Sequence, residues 1–141
     1  MKKIQIDYIE KPINISDYYW NNFLFKHDVK ETWFTIRIHQ KRIIDVCYTK
    51  SDEYGGVIEM GIHHFRRTPD AMKEFCRYLF ETNSKLAFIS IYNISGDFIG
   101  DYILKKSYFD CAVVRRKAVK IASKKHDVKI YVKYSRDFYN E

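Results

Sequence analysis

Ile4, Ile6 and Tyr8 alternate with Gln5 and Asp7, the period of two expected of a strand with one buried face. Pro12 has no backbone donor to give a ladder and marks a break after it. Ser16 can then cap a short helix, because Trp20, Phe23, Leu24 and His27 recur at i, i+3, i+4, i+7. A hairpin follows. Phe34, Ile36 and Ile38 face away from Trp33, Thr35, Arg37 and His39, and the chain returns through Ile44, Val46 and Tyr48. Past a turn over 51–56, Val57 to His63 reads as a third strand with Ile58, Met60 and Ile62 on one face.

The clearest helix signal runs from Pro69 to about Asn83. Thr68 is a capping type, Pro69 suits the first helical position and Asp70 complements the dipole. Met72, Phe75, Cys76, Leu79 and Phe80 then form an apolar stripe, a pattern that means core far more often than a cofactor box. Ala87 to Tyr92 alternates as a strand. Ser95-Gly96 reads as a turn into another strand, Phe98 to Leu104. A last helix is expected from Ser107 or Phe109 to Lys125, and a final strand with Val128, Ile130, Val132 and Tyr134 turned inward. The resulting order, β-α-βββ-α-ββ-α-β, predicts one α+β domain over 1–141: a two-layer fold with a largely antiparallel sheet and about three helices.

Length agrees, since 141 residues can bury one core. A hydrophobic share of 46% with 30% charged residues is globular rather than disordered composition. The 12 Tyr among the aromatics favour half-exposed strands and binding surfaces, and leave self-association open. Cys47, Cys76 and Cys111 are far apart and form no CxxC, which argues against a disulfide framework or zinc; Cys76 and Cys111 fall on expected apolar helix faces. With no long apolar run, neither a membrane span nor a signal core is expected, and the cytoplasm is the predicted compartment.

Charge is where the chain is uneven. The net charge is +7, yet residues 1–99 carry +1 and residues 100–141 carry +6. On the expected last helix Cys111, Val114, Ala118, Ile121 and Ala122 cluster on one side. Arg116, Lys117, Lys120 and Lys124 lie opposite, with Arg115 at the flank. The expected final strand adds Lys129, Tyr131 and Lys133 on its outer face, so a basic surface is concentrated in 105–136. This pattern predicts a non-enzymatic module that engages nucleic acid or an acidic or nucleoprotein partner, as a mobile-element inhibitor of a host nucleoprotein machine would. A merely solvated basic face is the plain alternative.

A second candidate is His63-His64-Phe65-Arg66-Arg67, just before a helix N-terminus. His63, His64, Arg66 and Arg67 are an anion-site candidate, the basis of a rival reading as a small nuclease or phosphate-handling enzyme. The five histidines show neither HxH nor HExxH spacing, and no metal site or cofactor is expected. Asp45, Glu59, Asp97 and Asp101 sit in or beside expected strands, Asp97 and Asp101 at a turn and a strand edge. Residues 96–102 have a faint look of an RNA-recognition strand but lack its leading basic residue.

Overall fold

A computed structural model describes residues 4–10, 31–38, 41–50, 54–58 and 69–139. Four strands come first: β1 (Ile4–Ile9), β2 (Glu31–Ile38), β3 (Lys41–Lys50) and β4 (Gly55–Ile58). Then follow α1 (Pro69–Thr82), β5 (Phe88–Ile94), α2 (Phe98–Lys106), β6 (Asp110–Ile121), β7 (Lys124–Tyr134) and α3 (Ser135–Tyr139). The strands form one sheet in the order β1-β2-β3-β4-β5-β7-β6. All neighbours are antiparallel except β4 and β5. Parallel neighbours need a crossover, and α1 supplies it.

Alternation in the strands places Phe34, Ile36, Ile58, Ile89, Ile91 and Tyr131 on the sheet face that meets the helices. From α1 they receive Met72, Phe75, Cys76, Leu79 and Phe80, the stripe expected from spacing, together with Ala71, and from α2 Ile103 and Leu104. The Phe34 and Phe75 rings meet edge-on with centroids 5.3 Å apart, a favoured aromatic geometry. The other face is buried in part as well, at Trp33, Thr35, Val57, Ser90 and Val128.

The α+β class, the β2–β3 hairpin, α1 and the strand at β5 agree with expectation. The expected helix over 16–27, the residues 59–63 of the third strand, and Thr68 lie outside the described residues.

Three expectations are corrected. The expected strand from Phe98 to Leu104 is helix α2. Asp97 is its N-cap, with Oδ1 accepting from the Gly100 N–H at 3.0 Å. Ser95-Gly96, with Gly96 at φ +92°, is thus a strand-to-helix turn rather than a hairpin. Burial of Gly100, Ile103 and Leu104 follows helical spacing, and Lys105 and Lys106 complement the C-terminal dipole.

The expected last helix is strand β6. Its hairpin pairing with β7 overrides a locally helix-compatible Ala/Lys/Arg composition. The period of two was hidden because β6 carries two register shifts, between Cys111 and Val113 and between Arg115 and Val119. The two tip residues, Ala122 (φ 49°) and Ser123 (φ 64°), are both left-handed, which matches the twist of a two-residue hairpin loop. Cys111 is accordingly exposed on an edge strand, whereas Cys76 is buried in α1 as expected.

Finally, the two faces of β7 are exchanged. Tyr131 and Lys133, expected outside, are each 1% exposed beneath the helices, and Tyr134, expected inside, is 41% exposed. Two polar groups under the helices make this possible: Asp101 accepts from Tyr131, and the Ser107 carbonyl from Lys133. The Lys133 ammonium also lies 5.6 Å from the Tyr108 ring centroid and 5.7 Å from that of Phe138.

Candidate functional site

Ligands of sheets with parallel strands collect at the carboxyl ends of those strands, where the connections diverge. Here that place is defined by β4 and β5. Their pairing runs from Gly55↔Phe88 to Ile58↔Ile91, and β5 continues to Ile94 alongside β7. Tyr92, Asn93 and Ile94 extend past the last described β4 pair, at the carboxyl end of β5. Both sides of the β4–β5 pair contribute apolar walls, Ile58 and Ile91 on the helix face and Val57 on the other.

A polar cluster closes the carboxyl end of β5. Asn93 Nδ2 donates to Asp101 Oδ1 at 3.0 Å and to the Asp97 carbonyl at 3.2 Å, which ties the end of β5 to the first turn of α2. Asp101 Oδ1 also accepts from the Tyr131 hydroxyl at 2.8 Å, and Oδ2 from Lys129 Nζ at 2.8 Å. Burial alone would raise the Asp101 carboxyl. Hydrogen bonds from Lys129, Tyr131 and Asn93, with the Lys129 charge, instead bring it below the ordinary carboxylate value. Tyr131 moves upward, first through burial and then because its hydroxyl donates to this carboxylate. Asp101 is thus a held anion with each oxygen occupied. It is suited to fixing Asn93 and α2, and ill suited to taking a proton.

Beyond Val128, which pairs with Ile94, the β6–β7 hairpin continues past the end of β5. Four residues of β7 project there, about 13 Å at strand rise. Ser95 N–H donates to the Asp127 carbonyl at 3.0 Å, and Lys117 N–H to Asp127 Oδ1 at 2.8 Å, so the ribbon is anchored at its root. Arg115, Arg116, Lys117, Lys120 and Lys124 of the expected basic surface are all exposed on it. Lys129, Tyr131 and Lys133 do not join them, being turned to the helix side. Cations and bulges on a long edge strand also oppose edge-to-edge pairing, which gives the basic residues a structural role. His63, His64, Arg66 and Arg67 lie outside the described residues. Among the described residues, no three His, Cys, Asp or Glu side chains gather as a metal site, and no helix is long and apolar enough to cross a membrane.

No protein-family model and no curated sequence matches the chain. Solved structures do. A spermidine/spermine N-acetyltransferase SpeG from Vibrio cholerae superposes with a TM-score of 0.74 at 15% identity, over 98% of both chains. The fold is that of these acetyltransferases. The same enzyme crystallised with CoA and spermine gives 0.66 at 17% identity, over 81% of this chain and 71% of that one. A Salmonella typhimurium acetyltransferase that modifies the N-terminal serine of a ribosomal protein gives 0.62 at 10% identity, over 74% of this chain. This chain spans less than two thirds of the length of that enzyme, 63%, and 59% of a GNAT-family protein from Chromobacterium violaceum.

These neighbours overturn the non-enzymatic reading. The structures that share the fold are acetyltransferases, so the expected nucleic-acid-binding module, its acidic or nucleoprotein partner and the role as a mobile-element inhibitor are withdrawn. The surface proposed for that role is also not one surface, because part of it is core. Sequence reasoning missed Asn93 and Asp101. The signal was present as an Asp97-to-Gly100 capping interval followed by an acid in the first helical turn, but Asp101 was assigned to a strand edge.

Proposed function

We propose that the protein is an N-acetyltransferase that moves an acetyl group from acetyl-CoA to an amine. The observation that carries this reading is the superposition on spermidine/spermine N-acetyltransferase over 98% of both chains. One feature of the chain suits such a donor. The basic run His63, His64, Arg66 and Arg67 lies in sequence between β4 and α1, and we assign it to the donor's phosphates. A CoA thioester also makes the cytoplasm the expected compartment.

In the transfer the acceptor nitrogen bonds the acetyl carbon, the thioester C–S bond breaks and the amine's surplus proton leaves with the thiol or to water. Asp101 and Lys129 neutralise one another, and Asp101 holds Asn93 at the end of β5; they are positioning residues. Purified protein incubated with acetyl-CoA and a panel of amines should release free CoA thiol in an acceptor-dependent manner. Mass spectrometry should find an amine heavier by one acetyl group. Thiol release no faster than in buffer, for every amine tried, would contradict the reading.

A further inference from the structure

We infer that the acceptor is a small amine bearing an anionic group, a carboxylate or a phosphate, and not a polyamine. The inference rests on the acetyl-transfer reading and concerns the second substrate. It starts from the charge left uncommitted around the carboxyl end of β5. Among the described residues three acids lie at that end, and each has a partner: Asp97 Oδ1 caps α2, Asp101 accepts from three side chains, and Asp127 Oδ1 accepts from the Lys117 N–H. Lys129 is neutralised by Asp101.

The cations that remain are Arg115, Arg116, Lys117, Lys120, Lys124 and Lys125, all exposed on the ribbon that projects past Ile94. Among the described residues none of these six side chains is in an ion pair. A substrate reaching the carboxyl end of β5 from this side meets these six cations against the charges of Asp97 and Asp127, which leaves the described surface net positive. A positive field concentrates anions and repels polycations. The neighbouring enzyme crystallised with spermine handles a polycation on the same fold. With a net charge of +7 and six unpaired cations on this ribbon, this chain has the opposite electrostatics to what a polycation needs.

Matched acceptors test this. Initial rates with acetyl-CoA are measured for ethanolamine, phosphoethanolamine, 4-aminobutyrate and spermidine, alongside calorimetric binding of acetyl-CoA alone. We expect kcat/KM for phosphoethanolamine or 4-aminobutyrate to exceed that for ethanolamine at least tenfold, with spermidine the poorest of the four. The better of the two anionic acceptors tells phosphate from carboxylate. Raising salt should shrink the preference, because the ribbon is solvent-exposed. A Lys120→Glu/Lys124→Glu double variant should lower the ratio of anionic to neutral kcat/KM about tenfold, and Arg115→Gln/Arg116→Gln should lower it in the same direction. If acetyl-CoA binds and spermidine is the preferred acceptor, or the ratio ignores both variants, the acceptor inference falls and acetyl transfer stands. If acetyl-CoA does not bind, both fall.

Discussion

Asp101→Ala is expected to destabilise the domain by about 2–4 kcal/mol. The substitution removes the acceptor of three donors at once, and two of them, Asn93 and Tyr131, are each only 1% exposed. A buried donor left without a partner costs about 1–3 kcal/mol. Lys129 has more freedom, since its side chain is 26% exposed and can turn to water, so the full penalty of an orphaned buried charge does not apply. Against a total stability of roughly 5–15 kcal/mol this is a large loss, lowering Tm by roughly 5–15 °C. Denaturant unfolding at neutral pH measures it directly.

The same carboxylate sets a pH dependence. Its folded pKa lies below the unfolded one, so its contribution is complete above about pH 5. As pH falls through the ordinary carboxylate range the contribution shrinks, and it is lost once pH passes the folded value. The stability gap between wild type and the near-isosteric Asp101→Asn should therefore narrow from pH 7 to pH 3. A gap that stays constant would show that the loss is one of packing and not of charge.

Phe75→Ala is expected to cost about 3–5 kcal/mol, in the range of large-to-small changes at well-packed aromatic sites. Phe75 is 0% exposed, sits centrally on the buried stripe of α1 and meets Phe34 edge-on. With α1 on one side and the sheet on the other, the cavity has little room to collapse. Phe98→Ala makes the control. That ring is 80% exposed on α2, and its removal should change stability by no more than about 0.5 kcal/mol. Similar losses for both variants would contradict the placement of the core.

How much of this was legible in the sequence depends on how each element earns its conformation. The helix α1 was readable because capping, Pro69, Asp70 and the stripe all point the same way. The β2–β3 hairpin was readable for the same reason, with β-branched and aromatic residues recurring on both sides of its turn. Local signals misled where pairing, capping and burial decide. Residues 110–121 have a helix-compatible composition, and two bulges erase the alternation that pairing with β7 would otherwise have printed on them. Residues 98–104 contain aromatics and β-branched side chains, yet the Asp97 cap and the burial of Gly100, Ile103 and Leu104 make them a helix.

The exchanged faces of β7 have a different cause. Lys129, Tyr131 and Lys133 look like an outer face, because burying a lysine is unfavourable unless its charge is met. Meeting it takes Asp101 and the Ser107 carbonyl, from a segment more than twenty residues upstream that local patterning cannot bring close. The charge excess in the last third was correctly located but not its arrangement. It is a ribbon of exposed cations beside a part-buried ion pair, and the fold around it is that of acetyltransferases.

The most direct test of the account is equilibrium binding of acetyl-CoA. Calorimetric titration should show one site per chain with a dissociation constant on the order of 1–100 μM, the range in which enzymes commonly hold such substrates. Arg66→Ala/Arg67→Ala should weaken binding at least tenfold without unfolding the domain. Absence of binding at millimolar acetyl-CoA, by a protein shown to be folded, would contradict the account.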